Sequence, residues 1–138
     1  TIMLLDGAGV RLHSRDGAID HMLDRPWRPF AFSGEAEVSA TLLGGPSVDF
    51  NLMVRRGRLA SRVAVLDAPA TLDTAAHGLL FVLTGRWSLA LGPQATVCGP
   101  QQGVWWAGAA HNALVEPQDA GAVLLAIRLE PTHAPAHA

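Results

Sequence analysis

The side chains best equipped for chemistry in this chain fall into two groups. In the C-terminal half stand His77, within ATLDTAAHGL (70–79), and His111, within WAGAAH (106–111). Neutral imidazoles ligate divalent cations, but an ordinary catalytic site takes three protein donors, so this pair is one short. The expectation is no metal and no cofactor, with His77 and His111 kept as the alternative ligands. In the N-terminal half stand Glu37, within FSGEAEV (32–38), and VDFNLMVRRGR (48–58), which carries Asp49, Asn51, Met53 and Arg55 at every second position. A guanidinium grips a carboxylate bidentately, which makes Arg55 a candidate fork for a small acid. A Glu37 facing into a barrel would need a donor of its own, from an arginine or a bound group. The plainer alternatives are that Glu37 points to solvent and that Arg55, Arg56 and Arg58 are solvated charge blunting a strand edge. Phe32, Glu37, Asn51, Met53, Arg55 and His21 form the expected ligand-binding set, and no catalytic residue is assigned.

Other chemistries lack their residues. The single cysteine, Cys98, cannot form an intramolecular disulfide, and a cysteine-built metal site is excluded. A dyad of Cys98 with a histidine is conceivable, but CGPQQG (98–103) reads as a turn. There is no G-x-S-x-G elbow, no P-loop and no G-x-G-x-x-G. GAG (7–9) is a hairpin turn, not a phosphate cradle.

The elements that must position these groups read as strands. Short apolar runs rich in valine, leucine and aromatics lie near 2–5, 9–13, 19–23, 28–32, 37–43, 49–55, 61–66, 79–84, 86–91, 94–98, 104–107 and 122–129. Glycine and proline punctuate them, which indicates an all-β barrel or sandwich. Residues 69–77 are the one candidate for a short helical turn. Alternation along 49–55 puts Phe50, Leu52 and Val54 on a core face and Asp49, Asn51, Met53 and Arg55 on an amphipathic one. Trp27, Phe30 and Phe32, around RPWRPF (25–30), read first as barrel filling. Trp105 and Trp106 are adjacent, so one points inward and the other outward, and an outward tryptophan hints at an interface.

The bulk numbers bound the class. The 138 residues are 49% hydrophobic and 16% charged, enough apolar material for a core and no signature of disorder. A net charge of −2 argues against nucleic acid. No run approaches the roughly 18 apolar residues of a membrane span, and no secretory signal is visible. With one buried-type cysteine, the expected compartment is the cytoplasm. The tail PTHAPAHA (131–138) reads as frayed, with His133 and His137 in it.

An internal repeat is visible. Leu5-Asp6-Gly7, between two apolar strands, matches Leu83-Thr84-Gly85, and FSGEAEV matches WAGAAHN (106–112) in the same order. FVLTG (81–85) and WAGAAH resemble the V-L-x-G and P-x-G-x-x-H elements of cupin barrels, with Trp106 in place of proline. FAFSGEAEVSATLLGGPSVDFNLMVRRGR (30–58) and the leading TIMLLDGAGVRL resemble the HutD/Ves family of bacterial double cupins. The match spans most of the chain and is most specific over 30–58.

That resemblance implies a double cupin, of the jelly-roll type. Its expected parts are the C-terminal part of a first unit over 1–58, a second unit over 59–130 and a tail over 131–138. Against the cupin metal motif, Gly78 falls near the place of the ligand glutamate. Family members begin with a further segment carrying W-K-N-G-x-G, so the first barrel is expected to lack its leading strands in this sequence. The implied function is a metal-free regulator of histidine utilisation that binds a small carboxylate, urocanate or N-formylglutamate in type, and forms a homodimer in one version. Still open are a cupin enzyme, an isomerase or metal-dependent oxygenase, and an interaction protein acting through an exposed tryptophan and sheet edge.

Overall fold

Alternating apolar residues and frequent glycine turns give strands throughout. The computed structural model describes residues 1–132, and every regular element among them is a strand. No helix there is long and apolar enough to cross a membrane. Residues 133–138, with His133 and His137, lie outside the described residues. The chain divides into two units, Thr1–Met53 and a second from Val54 onward.

The first unit holds β1 (Ile2–Gly7), β2 (Val10–Ser14), β3 (Asp20–Leu23), β4 (Val38–Leu42) and β5 (Ser47–Asn51). They form a two-stranded sheet, β1–β5, and a three-stranded sheet, β3–β2–β4, all antiparallel. Period-2 alternation sends Val10 and Leu12 inward and Arg11 and His13 outward. Between the sheets Ile2, Leu4, Val10, Leu12 and Leu23 make one core, with Phe30, Phe32 and Val38 against it. No strand forms over 28–32, because Pro29 has no N–H to donate. Phe30 alone bridges Ile2.

The second unit is a six-stranded sheet in the order β6–β11–β7–β10–β8–β9. Its strands are β6 (Leu59–Leu66), β7 (Ala70–Thr84), β8 (Trp87–Leu91), β9 (Gln94–Cys98), β10 (Gly103–Pro117) and β11 (Val123–Pro131). β7 and β10 pair along two stretches separated by register shifts around His111, and the inward residues of β10 pass from Trp106 to Ala113 and Val115, a change of parity. Leu80, Val82, Trp87, Leu89, Trp106 and Leu124 anchor this unit's core. The helical turn expected over 69–77 is instead the start of β7. Ladder pairing to β10 and burial of Leu72 and Ala75 override a weak local preference.

The two Leu-x-Gly turns behave alike. Gly7 and Gly85 end their strands with φ of 96° and 70°, the left-handed region that glycine enters freely. A Cβ at Gly7 would strike the Pro46 carbonyl, and one at Gly85 would strike Ala122. The second correspondence is looser. Gly108 is left-handed at φ 80°, while His111 lies within β10 and Glu37 precedes β4.

Candidate functional site

His21 is opposite Leu12 in the β2–β3 ladder and therefore shares the face that carries the first unit's core. Its ring stacks on Phe30 with centroids 3.8 Å apart and planes 6° from parallel. Phe30 continues the ladder to Phe32 at 5.8 Å and 26°. Two reciprocal backbone hydrogen bonds of 2.8 Å each fix Phe30 beside Ile2. On its other side Ile2 pairs with Asn51. One row therefore runs Asn51, Ile2, Phe30, with His21 lying over Phe30.

The next row centres on Leu4. Its carbonyl accepts a 2.9 Å hydrogen bond from the Trp27 N–H, and across the ladder it faces Asp49. Trp27 has φ 63°, a backbone region that a bulky residue rarely adopts and that clusters at functional sites. Asp49 Oδ1 is buried and, among the described residues, has no hydrogen-bond partner. A buried acceptor in that condition calls for an explanation, and a bound donor is one. The face thus carries a stacked aromatic platform, the buried Asp49 oxygen, and the Asn51 amide and His21 imidazole, both able to donate hydrogen bonds.

Of the six expected residues, His21 and Phe32 are joined through Phe30, Asn51 lies across the ladder from Ile2, and Met53, Arg55 and Glu37 are exposed. Met53 is 89% exposed, beyond the end of β5. Arg55 is exposed in a turn where the Arg58 and Leu59 amides donate to its carbonyl. Alternation from 49 to 55 fails because β5 stops at Asn51. Glu37 is exposed, lining open clefts of about 370 Å³, beside Arg15 and Asp16, and about 450 Å³, beside His13 and Ser39. Asp49 belonged to the right face in the sequence but was not among the expected ligands. Its signal was an acidic residue inside an apolar strand. Trp27 carried no signal, because a left-handed φ cannot be read from its neighbours.

In the second unit His77 is half-buried, and its Nδ1 accepts a 3.0 Å hydrogen bond from the Gly108 N–H. His111 is opposite Ala75, across a register shift. Among the described residues no three His, Cys, Asp or Glu side chains lie together where they could hold a metal ion. Gly78, opposite Trp106, has the indole ring where its Cβ would be. The ring is held by a 2.9 Å hydrogen bond from its Nε1 to the Ala75 carbonyl. Tryptophan here fills the space that a larger residue at 78 would need. Its neighbour Trp105 points the other way, 75% exposed against 7% for Trp106.

Comparison with known proteins adds the relationship. The HutD family model matches residues 1–125. Protein Ves of Cronobacter sakazakii is 41% identical over 112 residues, covering 80% of this chain and 59% of that protein. Protein Ves of Citrobacter koseri is 35% identical over 119 residues, covering 85% and 59%. The chain thus spans about 59% of the length of the curated relatives it matches. Among solved structures, a conserved protein of unknown function from Pseudomonas aeruginosa PAO1 superposes with a TM-score of 0.81 at 29% identity, over 94% of this chain and 70% of that one. HutD from Pseudomonas fluorescens SBW25 superposes with a TM-score of 0.72 at 28% identity, over 94% and 66%.

Proposed function

Since the chain belongs to the HutD family, with an all-β, cupin-like fold, we propose that it works as a metal-independent binding protein for a small carboxylate. The first unit supplies the binding face. The ligand is of the urocanate or N-formylglutamate type, and binding modulates histidine utilisation in the cytoplasm. One observation carries the reading: a buried, unpartnered Asp49 oxygen on the face where His21 stacks on Phe30. A flat acid with an N–H answers both features. Its plane lies on the aromatic platform, its N–H reaches Asp49, and its carboxylate takes the Asn51 amide and the His21 ring. Urocanate, planar throughout, matches best. N-formylglutamate offers the same N–H with a smaller flat group.

Isothermal titration of the full chain with urocanate, N-formylglutamate and glutamate, each with and without EDTA, tests this. One of the first two acids binds, with the same affinity in EDTA, and His21→Ala weakens it by about tenfold, roughly 1.4 kcal/mol. No heat from either acid at millimolar concentration overturns the proposal, and binding abolished by EDTA overturns its metal independence. A second reading, in which the chain acts as a homodimer, draws on Trp105. Sedimentation of wild type and Trp105→Ser checks it, with a shift to monomer as the expected result.

A further inference from the structure

β6, β11, β7 and β10 are in register across the second unit. On the face that carries the core, successive rows read Leu66–Leu124–Val82 and Ala64–Ala126–Leu80. The row after those is Arg62–Arg128–Gly78–Trp106. Two arginines directly opposite each other in an apolar sheet repel, and the pairing is unfavourable unless an anion lies between or over them. Neither has an adequate one. Among the described residues the Arg62 side chain makes no hydrogen bond or ion pair. Arg128, with its side chain 19% exposed, uses a single nitrogen, Nη1, at 3.4 Å from the Asp73 carbonyl and 3.3 Å from its Oδ2.

Two further Asp–Arg pairs show what a satisfied one looks like. Arg11 holds Asp20 through two bonds of 2.7 Å, and Arg86 holds Asp119 through bonds of 3.1 and 2.8 Å. Against these, Arg128 leaves Nε and Nη2 unused. The two arginines open onto a cavity of about 230 Å³, whose other walls are Ala60, Asp73, Thr74 and Glu130. Ala60 faces Glu130 across the ladder, so the small side chain leaves the room.

We propose that the Arg62–Arg128 pair is a binding site for the carboxylate of a small free amino acid. The ammonium group lies toward Asp73 and Glu130. The charge pattern argues for a zwitterion. Two cations stand on adjacent strands, and two carboxylates close the same cavity, so a dianion such as phosphate meets repulsion where an amino acid meets attraction. Guanidinium forks favour the planar carboxylate over a point charge. Thr74 adds a hydroxyl at the wall. This site is separate from the first unit's face and does not depend on the reading given for it.

The test is ligand-observed NMR on the full chain, with the twenty common amino acids, propionate and inorganic phosphate as probes. At least one amino acid binds with a Kd of about 1 mM or tighter. Its N-acetyl and amide derivatives bind at least about tenfold more weakly, and so do propionate and phosphate. Arg62→Gln, an exposed position that the fold does not need, abolishes the signal. Asp73→Asn weakens the amino acid but not propionate. His21→Ala, in the other unit, leaves it unchanged. Failure of all twenty at about 10 mM, roughly tenfold above that limit, overturns the proposal. Phosphate or propionate binding as tightly as the best amino acid also overturns it, as does an Arg62→Gln protein that binds like wild type.

Discussion

Replacing Gly78 with alanine puts one methyl group where the Trp106 ring lies. The ideal Cβ falls on the ring's Cζ2 and Cη2 and 2.8 Å from the Ile127 carbonyl oxygen. The backbone oxygen belongs to β11 in the middle of the sheet and has little freedom to yield, so the indole must move. Overpacking of a well-filled core costs about 1–3 kcal/mol. A displaced indole also loses its bond to the Ala75 carbonyl, about 1 kcal/mol. Alanine returns about 0.5–1 kcal/mol by restricting the unfolded chain. The net loss is about 2 kcal/mol, a fall in Tm of roughly 6–10 °C for a chain of this size. Urea denaturation followed by tryptophan fluorescence measures it. A double-mutant cycle assigns it: in a Trp106→Leu background the methyl group has room, so Gly78→Ala costs at least about 1 kcal/mol less there. An equal cost in both backgrounds, or a Gly78→Ala protein within about 0.5 kcal/mol of wild type, refutes the reasoning.

Other perturbations have directions fixed by the same geometry. Asp49→Asn removes the charge of the carboxylate whose own Oδ1 is buried without a partner among the described residues and stabilises the ligand-free protein by about 1 kcal/mol, while urocanate affinity in the same preparation falls, a trade of binding for stability. His21→Ala removes the parallel stack on Phe30 and destabilises by about 0.5–1.5 kcal/mol, read by chemical denaturation. The hydrogen bond from Arg86 holds the Asp119 carboxyl below its ordinary value of 3.8, as Arg11 does for Asp20. A depressed folded value means the contribution is present in full above pH 3.8 and is lost as pH falls through the lower folded value. Thermal scans between pH 5 and 2 therefore show an acid loss of stability that Arg86→Gln makes smaller, because less remains to lose. A steeper acid limb in that variant contradicts the assignment.

Much of this protein was legible from local sequence. Period-2 apolar runs separated by glycine and proline specify strands without reference to the rest of the chain, and the duplicated Leu-x-Gly turns mark strand ends because only glycine tolerates the left-handed backbone beside packed neighbours. Adjacent Trp105 and Trp106 had to diverge, and they do. Alternation also placed Asp49 and Asn51 on one face. It could not say where β5 ends, and the pattern carried past Asn51 includes Met53 and Arg55, which lie beyond the strand. Strand length is set by the partner: β5 pairs with β1 from Gly7 to Ile2, and Leu52 and Thr1 exchange the next backbone hydrogen bonds, of 2.8 and 2.9 Å.

The features on which the proposed sites and the core packing rest depend on register between segments distant in sequence. Phe30 meets Ile2 and His21, Arg62 meets Arg128, and Trp106 fills the space at Gly78, each through pairing across strands. A side chain's type and its period on its own strand are local properties, so the sequence determines the class of fold and the inward and outward faces. Which inward groups become neighbours is a property of the ladders, and a shift by one residue would turn each of these groups to the opposite face. Only the tertiary structure decides that two arginines stand opposed and that a carboxylate oxygen on β5 is buried without a partner.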